Sequence, residues 1–141
     1  MATAAILVNG LPGSGKSTIS VKLSVLLGCP VFAGDAVLES LADLTGQTVP
    51  GRRLRAIAMD TVWSLAAAVR DGVVVDSFWY SPRDRELALQ GVAISGATRV
   101  VELWCDVAEN VARERYALRE RHDIHGAPRL HHLDPRIGDT P

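Results

Sequence analysis

Short apolar runs alternate along this chain with longer stretches whose apolar residues recur every three or four positions. The short runs are Ala4-Ala5-Ile6-Leu7-Val8, Cys29-Pro30-Val31-Phe32-Ala33, Val73-Val74-Val75-Asp76 and Arg99-Val100-Val101-Glu102-Leu103-Trp104. Their length and lack of strict alternation suit strands buried on both faces, as in a parallel sheet. Thr18 to Leu27 places Ile19, Leu23, Leu26 and Leu27 on one helical face and stops at Gly28. Residues 36–44 put Val37, Leu38, Leu41 and Leu44 on one side, and Thr45 to Gly51 is a turn-rich break. Leu54, Ile57, Ala58, Val62, Leu65, Ala66 and Val69 predict an amphipathic helix that closes at Asp71-Gly72. Ser81-Pro82 opens a further helix, serine as cap and proline in the first turn, which reaches Ser95-Gly96. Asp106 with Glu109 has the form of a capping box for a helix through about Arg121. From Gly126 onward there are three prolines and no apolar run, which reads as a loop or lid segment.

Strands alternating with helices predict an α/β fold with right-handed crossovers. The pattern supplies four parallel strands and no fifth. Residues 1–141 are read as one domain, long enough for a real core. With 48% apolar and 22% charged residues the balance is that of an ordinary globular protein. A formal net charge of −1 gives no global attraction for nucleic acid. No apolar stretch approaches the roughly 20 residues that span a bilayer. Met-Ala-Thr-Ala-Ala has no basic segment ahead of its apolar run, so a cytoplasmic protein is expected. Cys29 and Cys105 lack metal-like spacing and are expected to be reduced thiols.

Where the first run ends, residues 10–18 read Gly-Leu-Pro-Gly-Ser-Gly-Lys-Ser-Thr. Gly10, Gly15, Lys16 and Ser17 satisfy G-x-x-x-x-G-K-[ST]. Glycines allow turns in which successive N–H groups converge on phosphate oxygens. The Lys16 ammonium suits the β- and γ-phosphates of a nucleotide, the Ser17 hydroxyl suits Mg²⁺, and the following helix turns its positive end to the same anion. Strand, glycine loop and helix stand in the required order. Gly10, Pro12, Gly13, Ser14, Gly15, Lys16, Ser17 and Thr18 are therefore the expected phosphate-binding residues.

The order of motifs resembles that of the small P-loop kinases, in an AAA-type ATPase/kinase-like group with gluconate kinase, chloramphenicol phosphotransferase and zeta-toxin-like enzymes. The likeness is carried by Gly10–Thr18, Gly34-Asp35, Val73–Asp76 with Phe78-Trp79 and Arg83, Val101–Asp106, and the arginine-rich helix into Arg121-His122-Asp123-Ile124-His125. It implies a three-layer P-loop NTPase sandwich: four or five parallel strands flanked by helices, with an arginine-rich lid near residues 107–135. The implied activity is ATP- and Mg²⁺-dependent transfer of the γ-phosphate to the hydroxyl of a small molecule. Family members usually carry a further strand and helix after the lid, so the expectation is either a chain cut before its last strand, or a sheet edge that is covered by a partner such as a second copy or left exposed. Relatives acting on polynucleotide ends place arginine three residues after the acidic residue. Leu38 stands there, which disfavours a nucleic acid acceptor.

Phosphoryl transfer asks a protein mainly for positioning and charge neutralisation. Asp35, at the end of the second strand, is the candidate base for the acceptor hydroxyl, or a helix N-cap, or both. Asp76 has the form of a Walker B carboxylate that orients Mg²⁺ with Ser17, binds the acceptor, or caps the strand end. Arg113, Arg115, Arg119 and Arg121 crowd one helix. Arg113 and Arg119 are the first choices for the γ-phosphate, Arg121 contacts adenine or ends the helix, and the alternative for each is a solvated face paired with Glu109, Glu114 and Glu120. Arg52, Arg53 and Arg55 either hold an anionic acceptor or are solvated, and Arg83 and Arg85 share that ambiguity. Phe78, Trp79 and Tyr80 wall an acceptor pocket or join the core. His122, His125, His131 and His132 suit exposed or lid histidines better than zinc ligands. No guanine-reading N-K-x-D element is present, so ATP is expected. The rival to a kinase is a nucleotide-dependent switch or slow ATPase without an acceptor, and what separates them is an open pocket beside Asp35.

Overall fold

The structure is a computed structural model and describes residues 1–118 and 123–125. Its elements, in chain order, are β1 (Ala4–Gly10), α1 (Lys16–Leu27), β2 (Val31–Ala33), α2 (Gly34–Thr45), α3 (Gly51–Ala68), β3 (Gly72–Asp76), α4 (Ser81–Ser95), β4 (Arg99–Cys105), α5 (Glu109–Leu118) and a 3-10 turn at Asp123–His125. The sheet is parallel with order β2-β3-β1-β4. Each apolar run became a strand, and β1 continues two residues past its run, to Gly10.

Alternate side chains leave opposite faces of a strand, so β1 and β3 feed two cores. Ala5, Leu7, Val73 and Val75 point to one face and pack with Val62, Trp63 and Ala66 of α3. Val8 and Val74 point to the other, with Cys105 and the half-buried Leu23 of α1. A third cluster joins α2 to α3 through Leu38, Ala42, Leu54 and Ala58. Leu38, apolar where polynucleotide-end kinases carry arginine, is thus a core residue at 4% exposure.

Helix α1 buries a different face from the one its spacing predicted, while α2 and α3 bury most of theirs and expose the margins. In α1 only Ser20 is buried, while Ile19, Leu26 and Leu27 are exposed. Apolar residues lie all round α1, so periodicity selected no face, and the helix meets the sheet through Ser20 and the half-buried Leu23. In α2 Leu44 is exposed and Ala42 is buried instead. In α3 the buried row is Leu54, Ala58, Val62 and Ala66 with Trp63, while Ile57 and Leu65 face out. That helix ends at Ala68 rather than Asp71-Gly72, because Val69 is already extended.

Two predicted caps also move. Tyr80, not Ser81, precedes α4, and its N–H donates to the Asp84 carboxylate at 2.9 Å. Helix α5 begins at Glu109, three residues beyond Asp106. The glycine stops held: Gly28 and Gly96 both adopt the left-handed conformation that closes a helix. Strand β4 lies at the sheet edge, with Val100, Val101 and Trp104 exposed.

Candidate active site

The phosphate loop leaves the carboxyl end of β1 and enters α1 at Lys16, two residues earlier than the apolar pattern indicated. Lys16, Ser17 and Thr18 therefore form the first helical turn, where backbone N–H groups have no partner within the helix. Gly13 and Gly15 have φ of 82° and 93°, values that a side chain would disfavour. At Gly13 there is a second constraint, since a Cβ there would run into the backbone carbonyl of Ala112 on α5. Leu11, Ala112 and Tyr116 form a small buried cluster, so α5 is seated on the loop.

Asp76 ends β3 beside this loop and is 7% exposed. The Ser17 hydroxyl donates to its Oδ2 at 3.2 Å. A hydroxyl and a carboxylate this close, both hard oxygen donors, fit a Mg²⁺ ion that keeps most of its water. The Lys16 ammonium donates to the Gly10 carbonyl at 3.0 Å and lies 5.9 Å from the centre of the Phe78 ring. Lys16, Ser17 and Asp76 are thus brought together at the carboxyl end of β1 and β3.

Asp35 sits in the first turn of α2, one residue inside the helix. The cap position belongs to Ala33, and no side chain caps this end, so the N-cap reading of Asp35 fails. Parallel pairing sets Ala33 opposite Asp76, which puts Asp35 next to the phosphate loop's acidic partner. Gly34 allows the close approach, since a Cβ there would touch Met59 and the Ser77 hydroxyl.

A cavity of about 410 Å³ opens here between α2, α3, α4 and the chain after β3. Asp35, Met59, Trp63, Phe78, Trp79 and Leu87 are among its walls. Phe78 faces both this cavity and Lys16, so cavity and phosphate loop are neighbours. Trp79 packs on Trp63 with ring centres 6.3 Å apart. The aromatic triplet therefore divides: Phe78 and Trp79 line the cavity, and Tyr80 lies under Arg83.

Three of the candidate arginines are engaged with partners. Arg113 pairs with Glu109 one turn earlier and is half exposed, which is the solvated arrangement. Arg55 donates to the Ile124 carbonyl at 3.3 Å. Arg83 makes two 2.8 Å hydrogen bonds to Asp84. The Asp84 hydrogen bond raises the Arg83 pKa. Burial pushes the Asp84 carboxyl up, but the Arg83 and Tyr80 hydrogen bonds outweigh it and hold the group below its ordinary value. His125 lies 3.2 Å from Glu39, tying the 3-10 turn to α2. Among the described residues no cluster suits a metal through three or more His, Cys, Asp or Glu side chains. Arg119, Arg121, His122, His131 and His132 lie outside the described residues. Burial raises the thiol pKa of both Cys29 and Cys105, and neither is in a disulfide.

Asn9 was not legible as a site residue. It is buried and accepts from the N–H groups of Gly10 and Trp79, at 2.9 and 3.0 Å, while its amide donates to the Trp79 carbonyl at 3.0 Å. One side chain thereby locks the start of the phosphate loop to the cavity wall. Asn9 follows the predicted strand directly and precedes Gly10, and position beside the glycine motif was the only signal.

The family described as an AAA domain, AAA_33, matches residues 6–134. The chain belongs to that family. No curated protein matches it in sequence. Among solved structures, a protein from Chloroflexus aurantiacus J-10-fl provisionally called a kinase is similar, with 24% identity, TM-score 0.76, and 96% of this chain and 78% of that one covered. A sugar kinase from Janibacter sp. HTCC2649 gives 19%, 0.64, 99% and 79% for the same quantities. For a gluconokinase from Sinorhizobium meliloti 1021 they are 21%, 0.63, 96% and 73%. The chain therefore has the kinase-like P-loop fold. Within the described residues no helix is long and apolar enough to cross a membrane.

Proposed function

We propose that this AAA-domain protein transfers the γ-phosphoryl group of ATP to the hydroxyl of a small molecule. The observation that carries the reading is the open cavity beside the phosphate loop with Asp35 in its wall. A switch or simple ATPase needs no such space, so the cavity favours a kinase over that rival.

The loop amides of Gly13 to Thr18 bind the phosphate tail, and Lys16 exchanges the Gly10 carbonyl for the β- and γ-oxygens. Mg²⁺, when bound at Ser17 and Asp76, supplies neutralisation of the β- and γ-phosphate charge. Asp35 orients the acceptor hydroxyl and takes its proton. Arg113 is one residue from Ala112, whose carbonyl abuts Gly13, so it stands at the edge of the loop. Its pair with Glu109 is exposed and holds it by only about 0.3–0.5 kcal/mol, so exchange for a phosphate oxygen is cheap. Arg119 would act beside it, and Arg121 at the base or helix end. Closing these groups over the site excludes water and suppresses hydrolysis. The setting is expected to be the cytoplasm.

The test combines ATP titration with a product-mass screen over a panel of hydroxylated metabolites. Lys16→Ala is expected to abolish nucleotide-dependent turnover. Asp35→Asn is expected to bind ATP normally and lose transfer. Full transfer by Asp35→Asn to an identified acceptor would overturn the base assignment.

A further inference from the structure

The charges around the acceptor cavity are unbalanced in a way that selects among acceptors. Asp35, Asp60 and Asp84 line it, against two guanidiniums, Arg55 and Arg83. Only one of the two cations is paired with a carboxylate. The Arg55 guanidinium donates to the Ile124 carbonyl, and its Nη1 lies on the Gly51 side of its own helix. Arg83 spends Nε and Nη2 on Asp84, so that pair is internally neutral. Asp35 and Asp60 make no hydrogen bond or ion pair with another described residue. Arg55 keeps its charge, since a carbonyl is neutral, so three carboxylates against two guanidiniums leave the cavity one net negative charge, and a carboxylate-bearing ligand would meet repulsion there.

The remaining walls are apolar and aromatic. Met59, Trp63, Phe78 and Trp79 form one side, and Leu87 and Ile94 of α4 the other. Leu87 and Ile94 are exposed, so their apolar surface is open to a ligand in the cavity. Aromatic faces with carboxylates at the rim recognise an organic ammonium: the rings attract the cation through their quadrupoles and the carboxylates through charge.

On these grounds, and resting on the kinase reading above, we propose that the acceptor is a cationic amino alcohol with an apolar or aromatic body. Asp35 faces its hydroxyl, and Asp60, further along α3, takes its ammonium. Hydroxy acids, the other acceptor class such a fold could serve, are disfavoured by the same net negative charge.

A matched trio tests this: phenylethanolamine, phenylethylene glycol and mandelic acid share one body and one benzylic hydroxyl and differ in charge. Binding is read by tryptophan fluorescence, with Trp79 and Trp63 in the cavity wall, and transfer by product mass with ATP and Mg²⁺. The amine is expected to bind up to about fivefold more tightly than the glycol, the upper size of one exposed ion pair, and mandelate more weakly still. Asp60→Asn should erase most of the amine-to-glycol ratio, Asp60→Glu should keep it, and the ratio should fall as pH rises through the amine's own pKa. Tighter binding of mandelate or of the glycol, a ratio indifferent to Asp60→Asn, or no binding of any of the three would overturn the proposal. Amine binding that depends on Asp60 without any phosphorylated product would uphold the ammonium-binding cavity and sink the kinase reading instead.

Discussion

Placing a methyl group at Gly13 tests whether α5 is truly seated on the phosphate loop. Two separate effects follow from the geometry. The first is backbone strain, since φ is 82° and an alanine there costs about 1–2 kcal/mol. The second is contact: the new Cβ meets the Ala112 carbonyl and comes 3.1 Å from the Tyr116 nitrogen. Both are backbone atoms that cannot rotate away, so the helix itself must shift and loosen the Leu11–Ala112–Tyr116 cluster. Overpacking of this kind adds about 1–3 kcal/mol, for a total of about 2–5 kcal/mol. Gly15 is the internal control. Its φ is 93°, yet a Cβ there meets nothing within 4 Å, so Gly15→Ala carries only the strain of about 1–2 kcal/mol. Urea unfolding followed by circular dichroism compares the two. With a slope of about 1–3 kcal/mol/M, Gly13→Ala should unfold at a midpoint roughly 1 M below Gly15→Ala. Coincident midpoints would show that α5 does not rest on the loop.

Gly91→Ala on α4 should reverse the usual helix trend. Alanine is ordinarily better by about 1 kcal/mol, but here its Cβ would enter the Trp63 ring, so a net loss of stability is expected in thermal melts. Asp84 makes stability pH-dependent. Its folded-state pKa is lowered, so its contribution is present above the unfolded value of about 3.9 and is lost as pH falls through the folded one. Asp84→Asn should therefore have a lower melting temperature than the parent at pH 7, with the gap closing below about pH 4. Asn9→Ala should cost about 2 kcal/mol or more, because it strands buried groups of Gly10 and Trp79. It should also raise KM for the acceptor through the freed Trp79, and an unchanged KM would remove Asn9 from the list of positioning residues.

The strands were legible because a buried parallel strand leaves a local mark, several consecutive apolar residues between turn signals. Val73-Val74-Val75-Asp76 became β3 on that basis. The faces of α1 and α3 were less legible. Helical periodicity reports which residues are apolar, while the sheet decides which are covered. Ile57 and Leu65 fit the 3-4 spacing and face out, whereas Trp63, off that row, is buried because it meets Gly91 and the sheet. Caps failed for a related reason. Asp106 and Glu109 had suitable spacing, yet the helix begins at Glu109, since docking of Ala112 and Tyr116 on Leu11 sets its position.

By itself the chain order of residues 10–18 determined the phosphate loop, since every group of that motif comes from one contiguous turn whose geometry is local. Tertiary structure alone decided the acceptor side. Asp35, Asp60, Trp63, Phe78 and Leu87 come from four separate segments and meet only when parallel pairing sets Ala33 against Asp76 and α3 and α4 cover one face of the sheet. The physical reason is range: backbone turns and helix starts are settled by neighbours in sequence, whereas a cavity's charge and shape belong to no stretch of chain until packing has closed around it.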